Sequence, residues 1–104
     1  MATEAGFVEF VCEQIAGSGQ LSSRKMFGEY MVYVNLKPLL LICDNTVFVK
    51  KLDELSELLA DAECGFPYKG AREHYILDVD NRELALEVVQ ALNRVVPLPK
   101  PKKK

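Results

Sequence analysis

The chain predicts an α+β domain of two layers, an antiparallel sheet with helices on one face, in the order αβββαββα. Three observations carry this. Apolar residues recur at three- and four-residue spacing near the start, in the middle and near the end, as helices with one buried stripe require. Between residues 25 and 50 that period gives way to runs rich in Val, Tyr, Phe and Leu, which suit strands. Short turns join those runs, so they pair locally and antiparallel. The 104 residues suffice for one domain, and an apolar share of 49% supplies a core without help from disulfides or a metal.

In residues 4–16, Phe7, Val8, Val11, Cys12 and Ile15 share one helical face, with Glu4, Glu9 and Glu13 elsewhere around the axis. Thr3 is the candidate N-cap, and Gly17-Ser18-Gly19 ends the helix. Lys25–Asn35, Leu39–Cys43 and Thr46–Lys50 are the three strands of a meander. Asp44-Asn45 makes a two-residue turn between the last two, because both residue types tolerate positive φ. Asn35-Leu36-Lys37-Pro38 is a weaker turn signal between the first two. Gly28 inside the first strand reads as a bulge.

Residues 52–63 return to helical spacing through Leu52, Leu55, Leu59 and Ala62, until Gly65 and Pro67 stop them. A loop, a short edge strand and Tyr75–Val79 follow. Asp80-Asn81-Arg82-Glu83 opens the last helix as a variant capping box, and Leu84, Val88, Ala91, Leu92 and Val95 form its expected stripe. The domain is expected to span residues 1–96, and the Pro/Lys-rich tail 97–104 to be disordered.

Charge is uneven. Four of the 13 basic residues lie in Lys100–Lys104, leaving 9 against 15 acidic ones in residues 1–99, a net of −6. An acidic body repels nucleic acid, so any weak, non-specific contact with it falls to the lysine tail, whose plainer role is a solubilising terminus. The three cysteines, Cys12, Cys43 and Cys64, are odd in number, widely spaced and without a Cys-x-x-Cys pair. They read as buried hydrophobes of a reducing cytoplasm, and no run is long enough to span a membrane.

Reactive chemistry is sparse. His74 is the sole histidine, and nothing in the sequence marks an oxyanion site or a third group to hold it as the base for Cys64. One His with scattered Cys lacks the paired spacing of a zinc site, and Gly17-Ser18-Gly19 lacks the lysine and following helix of a phosphate loop. No catalytic residue, metal or cofactor is expected. The alternative is a small-ligand site or enzyme pocket near Tyr68, His74 and Tyr75.

The segment Arg24-Lys25-Met26-Phe27-Gly28-Glu29-Tyr30 resembles the Arg-Arg-Met-Phe-Gly-Gly-Tyr signature of the TfoX N-terminal domain family of competence regulators. The likeness runs on through Val32-Tyr33-Val34, Leu41–Lys50 and Phe66-Pro67-Tyr68 and covers essentially the whole chain. Glu29 stands in place of the second glycine, Leu36 in a turn position where the family often has glycine, and the helical second domain of the longer regulators is absent from this sequence. The resemblance implies bacterial, cytoplasmic, non-enzymatic proteins linked to transcriptional control of DNA uptake, and the expectation for this chain is a module that acts through protein contacts, with the transcription machinery as a candidate partner.

Strand parity yields one further expectation. The turns place Met31, Tyr33, Leu40, Ile42, Val47 and Val49 on one face, and Tyr30, Val32, Val34, Leu39, Leu41 and Phe48 on the other. Both faces are apolar, where a sheet with helices on one side normally shows polar residues on the other. A two-fold homodimer covering the second face is one resolution; helices that wrap further round the sheet, or a three-residue turn that flips the register, are the other. The candidate interaction residues are Arg24, Lys25, Glu29, Tyr30, Val32, Leu39, Leu41 and Phe48.

Overall fold

The computed structural model describes residues 4–26 and 29–97. Thr3, Gly28 and residues 98–104, which include most of the predicted tail, lie outside the described residues.

Helix α1, Ala5–Gln14, buries Val8 and Val11, and Ile15 closes its end at 0% exposure. Its N-cap position is Glu4, whose side chain makes no cap bond. The Glu4 N–H donates instead to Asn45 Oδ1 at 2.9 Å, so the turn between two strands anchors the helix start. Strands β1 (Leu21–Met26), β2 (Glu29–Val34), β3 (Lys37–Cys43) and β4 (Thr46–Lys50) follow as successive hairpins. After a 3-10 turn at Asp53–Leu55 come the short strands β5 (Cys64–Gly65) and β6 (His74–Ile76), then helix α2, Arg82–Val95. The sheet is antiparallel with strand order β1-β2-β3-β4-β6-β5.

The α+β class and two-layer arrangement match the sequence reading, with three differences in its elements. The predicted strand Lys25–Asn35 is a hairpin, because Met26 pairs with Glu29 and the polar run Leu21–Met26 becomes the edge strand β1. That strand lacks the β-branched and aromatic composition that betrays an inner strand, and its exposed Ser22, Ser23, Arg24 and Lys25 suit an edge.

The predicted helix 52–63 reduces to the 3-10 turn and the tight turns after it. Most of its bonds span three residues, such as Ser56 N to Asp53 O and Ala62 N to Leu59 O, with Leu59 N to Leu55 O an exception. Asp53, Glu57 and Asp61 would repel one another at four-residue spacing on an α-helix, and Ser56 Oγ takes up the Asp53 carbonyl at 2.8 Å. Leu55 and Leu59 remain buried all the same. The apolar period encoded burial without a regular helix.

Helix α2 starts where predicted. Asn81 is its N-cap, and its Oδ1 accepts from Leu84 N at 3.2 Å. The buried stripe is Ala85, Val88, Val89, Ala91 and Leu92. It is rotated from the expected one, so that Leu84 is half-buried and Val95 is 37% exposed.

Register decides which residues meet the helices. The Asp44-Asn45 turn has φ of +52° and +57°, the pair of left-handed residues of a type I′ turn, and it sets Cys43 opposite Thr46, Ile42 opposite Val47 and Leu41 opposite Phe48, as a two-residue turn requires. The Asn35-Leu36 turn has the same form, with φ of +53° and +70°. There the ladder slips. Pro38 faces Tyr33 and Leu40 faces Val32, so Leu39 is an extra residue, a bulge. Proline has no N–H to give the ladder and is tolerated where pairing breaks, which locates the bulge beside Pro38.

The bulge overturns the predicted faces. Tyr30 and Val32 join Leu40, Ile42, Val47 and Val49 on the helix side of the sheet. Val32 and Val34 are fully buried there, in one core with Val11, Ile15, Leu55, Leu59, Val88 and Leu92. Leu39 also belongs to that core. Met31, Tyr33 and Leu41 turn to the opposite face, with Phe48 and Ile76 in register beside them.

Candidate functional site

The helix-free face is assembled from alternate residues of five adjacent strands. Arg24, Met31, Leu41, Phe48 and Ile76 form one row across it, because each is the paired neighbour of the next. Tyr33 and Pro38 flank that row on one side, and Glu29, Cys43 and Thr46 on the other. Met31, Tyr33, Leu41 and Ile76 are half-buried and stand apart from the helix-side core. Phe48 is better covered, at 7% exposure. The His74 ring meets it edge-on at 6.4 Å, and a Cβ on Gly65 would come within 3.4 Å of its ring. Phe66 and Tyr68, in the loop after β5, are 63% and 54% exposed.

Of the eight predicted interaction residues, Arg24, Glu29, Leu41 and Phe48 lie on this face. Lys25 and Tyr30 point to the helix side, and Val32 and Leu39 are core, so these four do not line it. Met31, Tyr33 and Ile76 were missed as members. For Met31 and Tyr33 the signal that could have found them was Pro38, whose missing donor announces the break in register, whereas Ile76 joins the face through its pairing with Phe48.

Cys43, at the edge of this face, is buried beside Glu29. Burial first, and then its bond to the Glu29 carboxylate, push its thiol pKa up to about 12, so it stays protonated and unreactive near neutral pH. Burial raises Cys12 as well.

The predicted pocket around Tyr68, His74 and Tyr75 is not brought together. His74 pairs with Lys50 and Gly65, and Tyr75 with Val49 and Cys64, so alternation sends His74 and Tyr75 to opposite faces. The same alternation parts the Cys64 thiol from the imidazole. His74 Nδ1 donates to the Arg72 carbonyl at 2.7 Å, which occupies one of its two nitrogens in a local turn. Tyr75 packs against the core and carries the Lys51 ammonium 5.2 Å above its ring. Lys51 also bonds Glu73 at 3.1 Å, the leading cause of its raised pKa. Among the described residues, no group of three or more His, Cys, Asp or Glu side chains is placed to hold a metal ion.

A groove runs along α2. One lobe, about 800 Å³, lies between the turns at 57–63, the start of β4 and the connection from β6 into α2. A second, about 480 Å³, continues beside the later turns of α2, and both share Glu57 and Leu58. Leu84, Glu87, Ala91 and Arg94 line the α2 wall, at the three- and four-residue spacing of a single helix face. Seven carboxylates rim the two lobes: Glu54, Glu57, Asp61, Glu63, Asp78, Asp80 and Glu87, against the single cation Arg94.

Comparison with known proteins agrees with this architecture. The family model of the TfoX N-terminal domain matches residues 13–93. The chain is also similar to a protein of Spirochaeta aurantia named "Uncharacterized 12.7 kDa protein in trpE 5'region", with 32% identity over 105 aligned positions that cover 99% of this chain and 91% of that protein. The family match spans every strand but part of the first helix and the end of the last, and on that ground the chain belongs to the TfoX N-terminal domain family.

Proposed function

We propose that the chain is a non-enzymatic protein-binding module of the competence-regulator type, acting in the cytoplasm in transcriptional control, and that it docks through the helix-free face of its sheet. Family membership supports the regulatory setting. The docking reading rests on one observation: the row Met31, Leu41, Phe48 and Ile76 crosses four adjacent strands, and among the described residues no helix lies over it. An antiparallel sheet that ends in water normally shows polar residues there, and contiguous apolar surface is where proteins meet proteins.

The occupant proposed is a second copy of the chain, in two-fold contact. Sheets pack face to face about 10 Å apart when both inner faces are apolar. Arg24 and Glu29 lie on this face with opposite charge, so a two-fold axis can bring the Arg24 of one copy to the Glu29 of the other.

Sedimentation equilibrium at concentrations on the order of tens of micromolar, the range of a modest interface, tests this. The wild-type chain is expected to sediment as a dimer, and Leu41→Glu as a monomer with an unchanged circular dichroism spectrum. A monomeric wild-type chain removes the second copy as occupant.

A further inference from the structure

We infer that the free edge of β1 is a docking site for an extended, acidic segment of a partner protein, which joins the sheet as an added strand. This goes beyond the face contact proposed above. The N–H and C=O groups of a strand lie in the plane of its sheet, so a copy packed on the face leaves them free.

Pairing is the first argument. The sheet ends in β5 on one side and β1 on the other. β5 is two residues long, and so short an edge offers little to pair with. β1 is six residues long, without proline, and in regular register with β2 from Leu21–Val34 to Met26–Glu29. The residue before it fixes which of its groups are free. Asn35 N donates to the Gln20 carbonyl at 2.8 Å, and Asn35 Oδ1 accepts from Gln20 N at 2.9 Å. Gln20 is thus bonded toward β2, and antiparallel alternation gives Ser22 and Arg24 the same direction. Leu21, Ser23 and Lys25 turn their N–H and C=O groups the other way, where no strand among the described residues pairs with them.

Access is the second argument. Ser22, Ser23, Arg24 and Lys25 are all exposed, although successive side chains of a strand point to opposite faces. Leu21 packs on the core, and beyond it the described residues cover neither face of the strand. The side chains of an added strand therefore find room on both sides of the sheet.

Charge selects the occupant. Residues 1–99 carry a net of −6, yet residues 14–28 contain no Asp or Glu, and Arg24 and Lys25 stand side by side in β1. Being adjacent, they give each face of the edge one cation. Pairing with the β1 of a second copy would gather two Arg24 and two Lys25 on one ribbon, where like charges on neighbouring strands are destabilising. A strand with two successive acidic residues instead sets one carboxylate beside Arg24 and the other beside Lys25. The cations that turn away a copy thus admit an acidic partner, while main-chain bonds supply the attachment.

The test follows amide exchange by NMR on the full chain, with and without the end-blocked peptide Thr-Val-Glu-Glu-Val-Thr. With peptide at about 10 mM, in excess over even a millimolar dissociation constant, exchange at Leu21, Ser23 and Lys25 should slow about tenfold. Ser22 and Arg24, already bonded to β2, should not change, and that alternation is the mark of an added strand. Thr-Val-Lys-Lys-Val-Thr should give no protection, and Arg24→Glu with Lys25→Glu should reverse the preference between the two peptides. Thr-Pro-Glu-Glu-Pro-Thr keeps the charge but lacks an N–H at one position of each parity, so it should not protect either. Every comparison is made at one protein concentration, so it reads the edge whether or not the face holds a second copy. Unchanged exchange with the acidic peptide overturns the proposal. So does equal protection by the proline peptide, which would reduce the contact to charge alone.

Discussion

The β2–β3 and β3–β4 hairpins share a strand and the same kind of turn, yet only the second keeps an unbroken ladder. Both turns place two residues at positive φ, Asn35-Leu36 in one and Asp44-Asn45 in the other. After the second, pairing runs regularly from Cys43–Thr46 to Leu41–Phe48. After the first it survives two pairs before Leu39 bulges out between Pro38 and Leu40. A turn sets the register only at its own end of a hairpin. One residue without an N–H, two positions into the strand, reset every side chain beyond it, and with them the membership of the core and of the docking face.

The largest effect should come from the two faces that the bulge separates. Ile42 and its neighbour Leu41 point to opposite sides, the first fully buried in the core and the second half-buried on the helix-free face. Ile42→Ala should cost about 2–5 kcal/mol of stability, from lost transfer energy and the cavity left behind. Leu41→Ala should cost about 1 kcal/mol, since part of its surface is wet already. Urea midpoints of the two variants measure this. Equal losses would mean that the outer face is as tightly packed as the core, which the bulged register does not allow.

The turns differ in what they ask of their residues. Asn45 at φ +57° is a type that tolerates the left-handed region, and its Oδ1 also anchors Glu4 N. Leu36 at φ +70° is not, and at 65% exposure its side chain recovers little by packing. The left-handed conformation costs such a residue about 1–2 kcal/mol. Leu36→Gly should therefore stabilise the chain by about 0.5–1 kcal/mol, the gain being reduced by the greater freedom of glycine in the unfolded state. Thermal unfolding of Leu36→Gly beside Asn45→Gly sharpens the contrast. The first midpoint should rise, and the second should fall through the lost bond to Glu4.

A pH-dependent effect concerns Cys43, where the regular hairpin meets the docking face. Its folded pKa is raised to about 12 from an ordinary 9.0. Between those values the unfolded chain releases a proton that the folded chain keeps, so the stability this thiol contributes is complete below about pH 9 and is lost as pH climbs toward 12. Urea midpoints from pH 8 to 10 should fall more steeply for the wild type than for Cys43→Ala. Parallel slopes would show that the thiol titrates alike in both states.

Much of the fold was legible because its signals are local. The Asp44-Asn45 turn, the Asn81 cap and the apolar spacing of α1 depend on residues within a few positions of one another, and each appears where expected. The candidate site was half legible. Arg24, Glu29, Leu41 and Phe48 were found through the signature and the regular hairpin, whereas Val32 and Leu39 were assigned to the wrong face across the bulge. The groove along α2 was not foreseen, since its walls come from residues 45–47, 54–63 and 76–94, which only folding brings together.

The sequence by itself determined the class of the domain, the family, the Asn81 cap and the Asp44-Asn45 turn, because residue type and short spacing control these. Tertiary structure alone decided which face of the sheet the helices cover, that residues 52–63 bury Leu55 and Leu59 without a regular helix, and where carboxylates distant in the chain converge. The reason is that burial is shared among elements. A single slipped pair or a repelling row of acids costs little locally, and the packing of all the elements together selects which local preference yields.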